Sequence, residues 1–159
     1  MKTLIVFSTK HGCTEKCAQK IKNHLSGDTV VVNLKQNGNV DLSGFDTVII
    51  GGSIHAGRVQ TRIIKFLNKN SEILLEKKLG LFLCCMEQGE KAVKQLNDAF
   101  PNVFRNHASA CEILGGEFNF EKMNFIERFI VRKVAKTEKS VSRISDDKIE
   151  RFAEKINSA

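Results

Sequence analysis

The stretch Phe7-Ser8-Thr9-Lys10-His11-Gly12-Cys13-Thr14 decides the fold. It closes the unbroken apolar run Thr3–Phe7 (TLIVF) and leads into Cys17, Ala18, Ile21 and Leu25, spaced as one face of a helix. A strand that ends in hydroxyls and glycine and then enters a helix makes an anion site. Its backbone N–H groups converge at the positive end of the helix dipole. Ser8, Thr9 and Thr14 bring hydroxyls, Gly12 can take a tight turn, and Lys10 and His11 add positive charge. There is no GxxxxGKS/T loop and no GxGxxG, so ATP, GTP and the common dinucleotide fingerprint lose support. An ordinary strand-to-helix turn uses the same residue types, so the meaning of the loop depends on its neighbours.

Four further apolar runs follow: Thr29–Leu34, Thr47–Ile50, Leu79–Cys85 and Ala108–Leu114. Continuous β-branched runs, rather than alternating ones, predict strands buried on both faces of a parallel sheet. Helical spacing fills the gaps. Ile63, Ile64, Phe66 and Leu67 precede the fourth strand, and Ala92, Val93, Leu96 and Phe100 precede the fifth, with Pro101 ending that helix. A last helix, Asp146–Ile156, opens on Ser145 and carries Ile149, Phe152, Ala153 and Ile156 on one stripe. This order predicts an open, doubly wound α/β sheet, in which ligands sit outside the carboxyl ends of the strands. The loops after strands one, three (Gly51–Arg58) and four (Cys84–Gly89) then line one crevice. A phosphate in the first and a flat ring between the other two describe a flavin mononucleotide (FMN).

FSTKHGCT resembles the phosphate-loop signature of the flavodoxin family, and GGSIHAG resembles its first ring-binding loop. The spacing from Ser8 to Thr14 is one residue longer than in ordinary short flavodoxins. That form, FST-x-x-G-x-T followed by G-x-S-I-x-x-G, is similar to the menaquinone-dependent protoporphyrinogen dehydrogenases. EFNFEKMNFIERFIVRKVAK resembles the aromatic and basic segment that those enzymes carry after strand five. The likeness spans most of the chain; the fourth-strand loop and the chain end match it poorly. It implies a flavodoxin-like three-layer α/β/α sandwich with a parallel five-stranded sheet in the order 2-1-3-4-5, and noncovalently bound FMN. Ser8, Thr9, Lys10, His11, Gly12, Cys13 and Thr14 would hold the phosphate. Ser53, Ile54, His55, Ala56 and Gly57 would border the ring on one side. Cys84, Cys85, Met86, Glu87, Gln88 and Gly89 would approach it on the other. Flavodoxins usually stack Tyr or Trp on the ring, and this chain has neither. His55 or Met86 must substitute, or one face stays open to a substrate.

Residues 1–159 read as one domain, with an insertion at about 115–145 before the last helix. Lys122–Lys136 places Met123, Ile126, Phe129, Ile130 and Val134 on one helical face, and residues 122–139 carry six Lys/Arg against two Glu. This is a basic amphipathic helix, which either packs its apolar face on the domain or lies on an anionic membrane surface. The whole chain has 25 Lys+Arg against 18 Asp+Glu, a net charge of +7, which favours anionic partners. No nucleic-acid module accompanies that charge. No apolar run approaches the roughly 20 residues of a membrane span, and the N-terminus reads as a first strand rather than a signal peptide. The expectation is a cytoplasmic protein, peripheral on the inner face of the cell membrane.

The five cysteines suit reduced thiols better than disulfides. Cys13 and Cys17 lie four apart with no third ligand at useful spacing, so no metal site is expected. No cysteine is followed six residues later by arginine, which excludes a Cys-x5-Arg phosphatase loop. A phospho-receiver needs acidic residues after strands one and three, where Ser8-Thr9 and Gly51-Gly52 stand. Three functions remain. The first is an FMN-dependent oxidoreductase; the resemblance implies a porphyrinogen donor and a quinone acceptor, in heme biosynthesis. Arg58, Arg62, Arg128, Arg132 and Lys133 are candidates to meet substrate carboxylates or the membrane, and no side chain is assigned as a catalytic acid or base. The second is an electron carrier docking on redox partners, and the third a non-enzymatic flavin-binding or membrane-docking module. Oligomeric state is not legible in the sequence.

Overall fold

The computed structural model describes residues 1–137 and 139–159. Four of the five apolar runs form strands within two residues of their expected bounds, and the third, expected over Thr47–Ile50, runs on to His55. In chain order these are β1 (Lys2–Phe7), β2 (Asp28–Asn33) and β3 (Thr47–His55), which folds back as a short hairpin with β4 (Arg58–Val59). Next come β5 (Lys78–Cys84) and β6 (Ala110–Gly115). The five long strands are parallel, in the order β2-β1-β3-β5-β6. With the β4 hairpin set aside, that is the predicted order 2-1-3-4-5.

The crossovers are helical: α1 (Cys13–His24), α2 (Thr61–Lys69), α3 (Ser71–Leu75), α4 (Gly89–Ala99) and α5 (Asn102–His107). The insertion consists of β7 (Glu117–Phe118), α6 (Phe125–Ala135) and β8 (Val141–Ser142). α7 (Asp146–Ser158) closes the chain, and Ser145 caps it by accepting a hydrogen bond from the Lys148 backbone N–H.

Strand geometry divides the core in two, because successive side chains point to opposite faces. Leu4 and Val6 of β1, Val48 and Ile50 of β3, and Leu79, Leu81 and Leu83 of β5 pack with Ile63, Phe66, Leu67 and Leu74 of α2 and α3. Ile5, Phe7, Ile49, Phe82 and Cys84 point the other way, onto Cys17, Ala18 and Ile21 of α1 and Ile149, Phe152 and Ile156 of α7. Burying each such large side chain is worth roughly 1.5–3 kcal/mol against leaving it in water. The α7 stripe predicted from sequence is therefore what fixes α7 beside α1.

The insertion is pinched at its root. β7 and β8 pair antiparallel, Glu117 opposite Ser142 and Phe118 opposite Val141, and the Arg143 N–H donates to the Gly116 carbonyl at 2.8 Å. Gly115 sits at φ +90, and a Cβ there would stand 1.9 Å from the Arg143 oxygen, so the returning chain needs glycine at this point. Lys16 of α1 binds Glu117 at 2.8 Å and ties the root to the sheet's helical layer.

One expectation changes, and one of two alternatives for the insertion drops out. Met123 is buried but lies ahead of α6 rather than on its face. The apolar face of α6 does not pack on the domain: none of its residues is buried, and Phe125, Ile126, Phe129, Ile130 and Val134 are exposed, Phe125 at 83% and Val134 at 78%. Among the described residues no helix is long and apolar enough to cross a membrane.

Candidate functional site

The Phe7–Thr14 stretch forms the turn from β1 into α1, as its composition requires. Gly12 caps α1 in the left-handed region, φ +93, where a side chain would be strained. The Gly12 N–H donates to Thr9 Oγ1 at 3.0 Å, which shapes the loop. Ser8 is buried, and its N–H donates to the Gly51 carbonyl at 3.2 Å. Thr14 is fully buried and its Oγ1 has no partner. Thr3, Thr29 and Thr47 also hold unpartnered hydroxyls, but they stand in register at the amino ends of their strands, away from this loop.

The second loop is a hairpin. Ser53, Ile54 and His55 remain in β3, and only Ala56 and Gly57 turn, both at positive φ (49 and 76). That is the pattern of a two-residue hairpin turn whose twist matches its strands. Gln60 fixes the hairpin's base by accepting from the Ser53 N–H at 3.0 Å and donating to Ser53 Oγ at 2.6 Å. In the third loop Met86 is half-buried and Glu87, Gln88 and Gly89 are exposed. The Cys85 side chain belongs to the core on the α2 face, where burial pushes its thiol pKa up; of this residue only the backbone is left to face the crevice.

The insertion contributes what the sequence reading did not find. Asn124 and Glu127 form a reciprocal capping box at the start of α6. The same Glu127 carboxylate reaches the first loop. It pairs with Lys10, lies 3.3 Å from His11 Nε2, and stands 3.9 Å from His55 Nε2. Lys10 Nζ also lies 3.0 Å from His55 Nε2, so one ammonium links the first and second loops. The Lys10 hydrogen bond, with help from the Asn124 N–H and His11, holds the Glu127 carboxyl below its ordinary range. Burial lowers the His11 pKa, against the pull of Glu127. Lys122 approaches from the same segment: its Nζ lies 2.9 Å from where a Gly12 Cβ would be. The motif Asn-x-x-Glu at 124–127 marks the helix start in the sequence, but nothing local says what Glu127 touches.

The positive residues divide. Arg58 is exposed at the hairpin tip, while Arg62 borders a groove with Lys65 and Lys69 of α2. Arg128 turns back to donate to the Phe120 carbonyl. Arg132 lies over the Phe120 ring at 5.8 Å and Lys133 over the Phe129 ring at 5.9 Å. A surface cavity of about 570 Å³ lies at Asn68–Glu76, away from these loops.

Residues 4–145 match the flavodoxin domain family. The chain belongs to that family. This flavodoxin domain is similar to the protoporphyrinogen IX dehydrogenase (quinone) of Escherichia coli K12, at 23% identity over 171 positions, covering 98% of this chain and 94% of that enzyme. Its fold is that of oxidised flavodoxin 1 from Bacillus cereus (TM-score 0.61, 16% identity, 98% and 97% of the two chains). It is also that of the Fusobacterium nucleatum flavodoxin bound to flavin mononucleotide (TM-score 0.58, 12% identity, 99% and 97%). Members of the flavodoxin family bind FMN. The residues here fit such a group's phosphate: a glycine-capped helix N-terminus, a buried hydroxyl without a partner, and the Lys10 and Lys122 ammonium groups.

Proposed function

We propose that this flavodoxin domain is an FMN-dependent oxidoreductase working at an anionic membrane surface, with an organic donor of the porphyrinogen class and a quinone as acceptor. The observation that carries the reading is the placement of α6. Glu127 anchors the helix start on the phosphate loop, while Phe125, Phe129 and Val134 stay in water with Arg132 and Lys133 beside them. A helix with exposed aromatics and basic neighbours suits the headgroup boundary of an anionic bilayer, which is where a lipid quinone is found. The likeness to a quinone-linked protoporphyrinogen dehydrogenase supports the same reading.

Ser8, Thr9, Gly12 and Thr14 would receive the phosphate through hydroxyls and N–H groups, with Lys10 and Lys122 as counter-charge. The hairpin Ser53–Gly57 and the segment Met86–Gly89 would flank the ring. His55 is the planar side chain that the hairpin itself offers, and with no Tyr or Trp in the chain one ring face is left accessible to a donor. The flavin, when bound, supplies two-electron redox chemistry. Per turn the donor loses two electrons and two protons, and a quinone gains both to become quinol. The exposed Arg58 and the net charge of +7 favour a donor bearing carboxylates.

The test is FMN titration of the purified protein, then anaerobic mixing with protoporphyrinogen IX and a menaquinone analogue. Bleaching of the flavin absorbance by the porphyrinogen and its return with the quinone is the expected result. Tight FMN binding without bleaching replaces the enzyme by an electron carrier. Failure to bind FMN removes both.

A further inference from the structure

Three cysteines that the flavin chemistry leaves unused meet behind the phosphate loop. Cys13 is the first residue of α1, Cys17 follows one turn later, and Cys84 ends β5. Their sulfurs all lie within 4.8 Å of one another, with Cys17 Sγ and Cys84 Sγ 3.6 Å apart. All three are free thiols, exposed by 7%, 0% and 2%. The other two cysteines, Cys85 and Cys111, pack on the opposite face of the sheet. Spacing along the chain concealed this cluster, because its third sulfur comes 67 residues after the second.

We propose that Cys13, Cys17 and Cys84 form a binding site for one soft monovalent metal ion, Cu(I) in a cell, held by three sulfurs. Metal–sulfur bonds of about 2.3 Å in a trigonal plane put the sulfurs about 4 Å apart, a separation that lies between the 3.6 Å of the Cys17–Cys84 pair and the 4.8 Å within which all three sulfurs fall. Structural zinc takes four ligands, and among the described residues this cluster offers three. Thiolates select Cu(I) over harder ions. Ile5, Phe7, Phe82 and Leu114 belong to the same buried cluster and keep water from the ion. Each sulfur exchanges its proton for a metal bond and the proton leaves to solvent, with no change of oxidation state. The anionic product sits at the positive end of the twelve-residue α1, with Lys122 near the adjoining Gly12. Cys13 is the most exposed of the three, so the ion enters beside the phosphate loop.

The experiment uses the reduced full-length protein, free of flavin, under argon. It is titrated with Cu(I) supplied as its bicinchoninate complex, and separately with Zn(II). Transfer of Cu(I) to the protein is followed by the loss of the visible absorption of the bicinchoninate complex. Uptake of one equivalent of Cu(I) is expected, with affinity reduced about a hundredfold or more, some 2.7 kcal/mol, in Cys17→Ser and unchanged in Cys111→Ser. If Cys17→Ser loses the wild-type circular dichroism, Cys13→Ser, at the edge of the core, takes its place with the same expectation. One equivalent of Cu(I) also raises the melting temperature of the wild type. The proposal is overturned if no Cu(I) leaves the chelator, if neither serine variant weakens uptake, or if Zn(II) binds more tightly through the same cysteines. None of these outcomes depends on whether FMN binds.

Discussion

Thr14 and Glu127 show how single side chains distinguish a binding site from a turn. The Thr14 hydroxyl is buried without a partner, and such a group costs about 1–3 kcal/mol until something satisfies it. Thr14→Val removes it at nearly constant volume. Without FMN the variant is expected to melt at or above the wild-type temperature. Its FMN affinity falls by about 10- to 100-fold, the worth of a hydrogen bond to a charged group. Equal FMN affinity in the two proteins assigns the hydroxyl to the turn alone. Glu127 makes a prediction about pH. Its carboxyl is depressed in the folded protein, chiefly by Lys10, so the contact it makes is complete above the ordinary carboxylate value of about 4.3 and is lost as pH falls through the lower folded value. Glu127 also raises the His11 pKa against burial. Glu127→Gln therefore moves the His11 titration, followed by NMR of the imidazole protons, to lower pH. An unmoved titration means that the α6 start does not rest on the loop in solution.

At the scale of elements, the sequence was legible where the signal is local and periodic. β1 and β3 read as apolar runs because both their faces are covered, and α1 and α7 read as stripes because one face is. α3 and α5, five and six residues long, are too short to show a period. The hairpin of Ala56 and Gly57 looks like an open loop in one dimension, since alanine at positive φ is not a usual turn signal. The contacts of Glu127 and Cys84 depend on chain returning from far away, which no local pattern encodes. α6 was legible as a helix, and its environment was not: a stripe of apolar residues is the same string of letters whether it is buried or bare. That bare face carries the third prediction. Changing Phe125 and Phe129 to Ser, or Arg132 and Lys133 to Glu, abolishes most co-sedimentation with anionic vesicles, while neutral vesicles bind little in any variant. Only the charge-dependent part is expected to weaken with added salt, because surface attraction is screened within about 10 Å at 0.1 M ionic strength. Vesicle binding unchanged by both pairs assigns α6 to some other contact.

For the whole molecule, we propose that residues 1–159 are one domain whose flavin-binding sheet and membrane-facing insertion, as read above, are separable at a single place. Gly116 and Arg143 already hydrogen-bond across the root of the insertion, so the chain can be closed there with little distortion. The parallel sheet and both halves of its core lie outside the excised segment. Excision of residues 117–142, with a short glycine linker from Gly116 to Arg143, is therefore expected to leave a cooperatively melting α/β protein that still binds FMN. Two opposed changes accompany the loss of Lys122 and Glu127. The first removes a positive charge from the phosphate loop, while the second frees Lys10 and His11 from a competing carboxylate. FMN affinity then shifts modestly, whereas vesicle binding disappears. The decisive comparison is between acceptors. Reduction of a water-soluble quinone analogue by the flavin-loaded protein persists after excision, but reduction of menaquinone embedded in anionic vesicles falls steeply. If both fall together, the insertion belongs to the active site itself. If neither falls, the exposed face of α6 serves no membrane, and an electron carrier meeting acidic partners through its net positive charge becomes the better account.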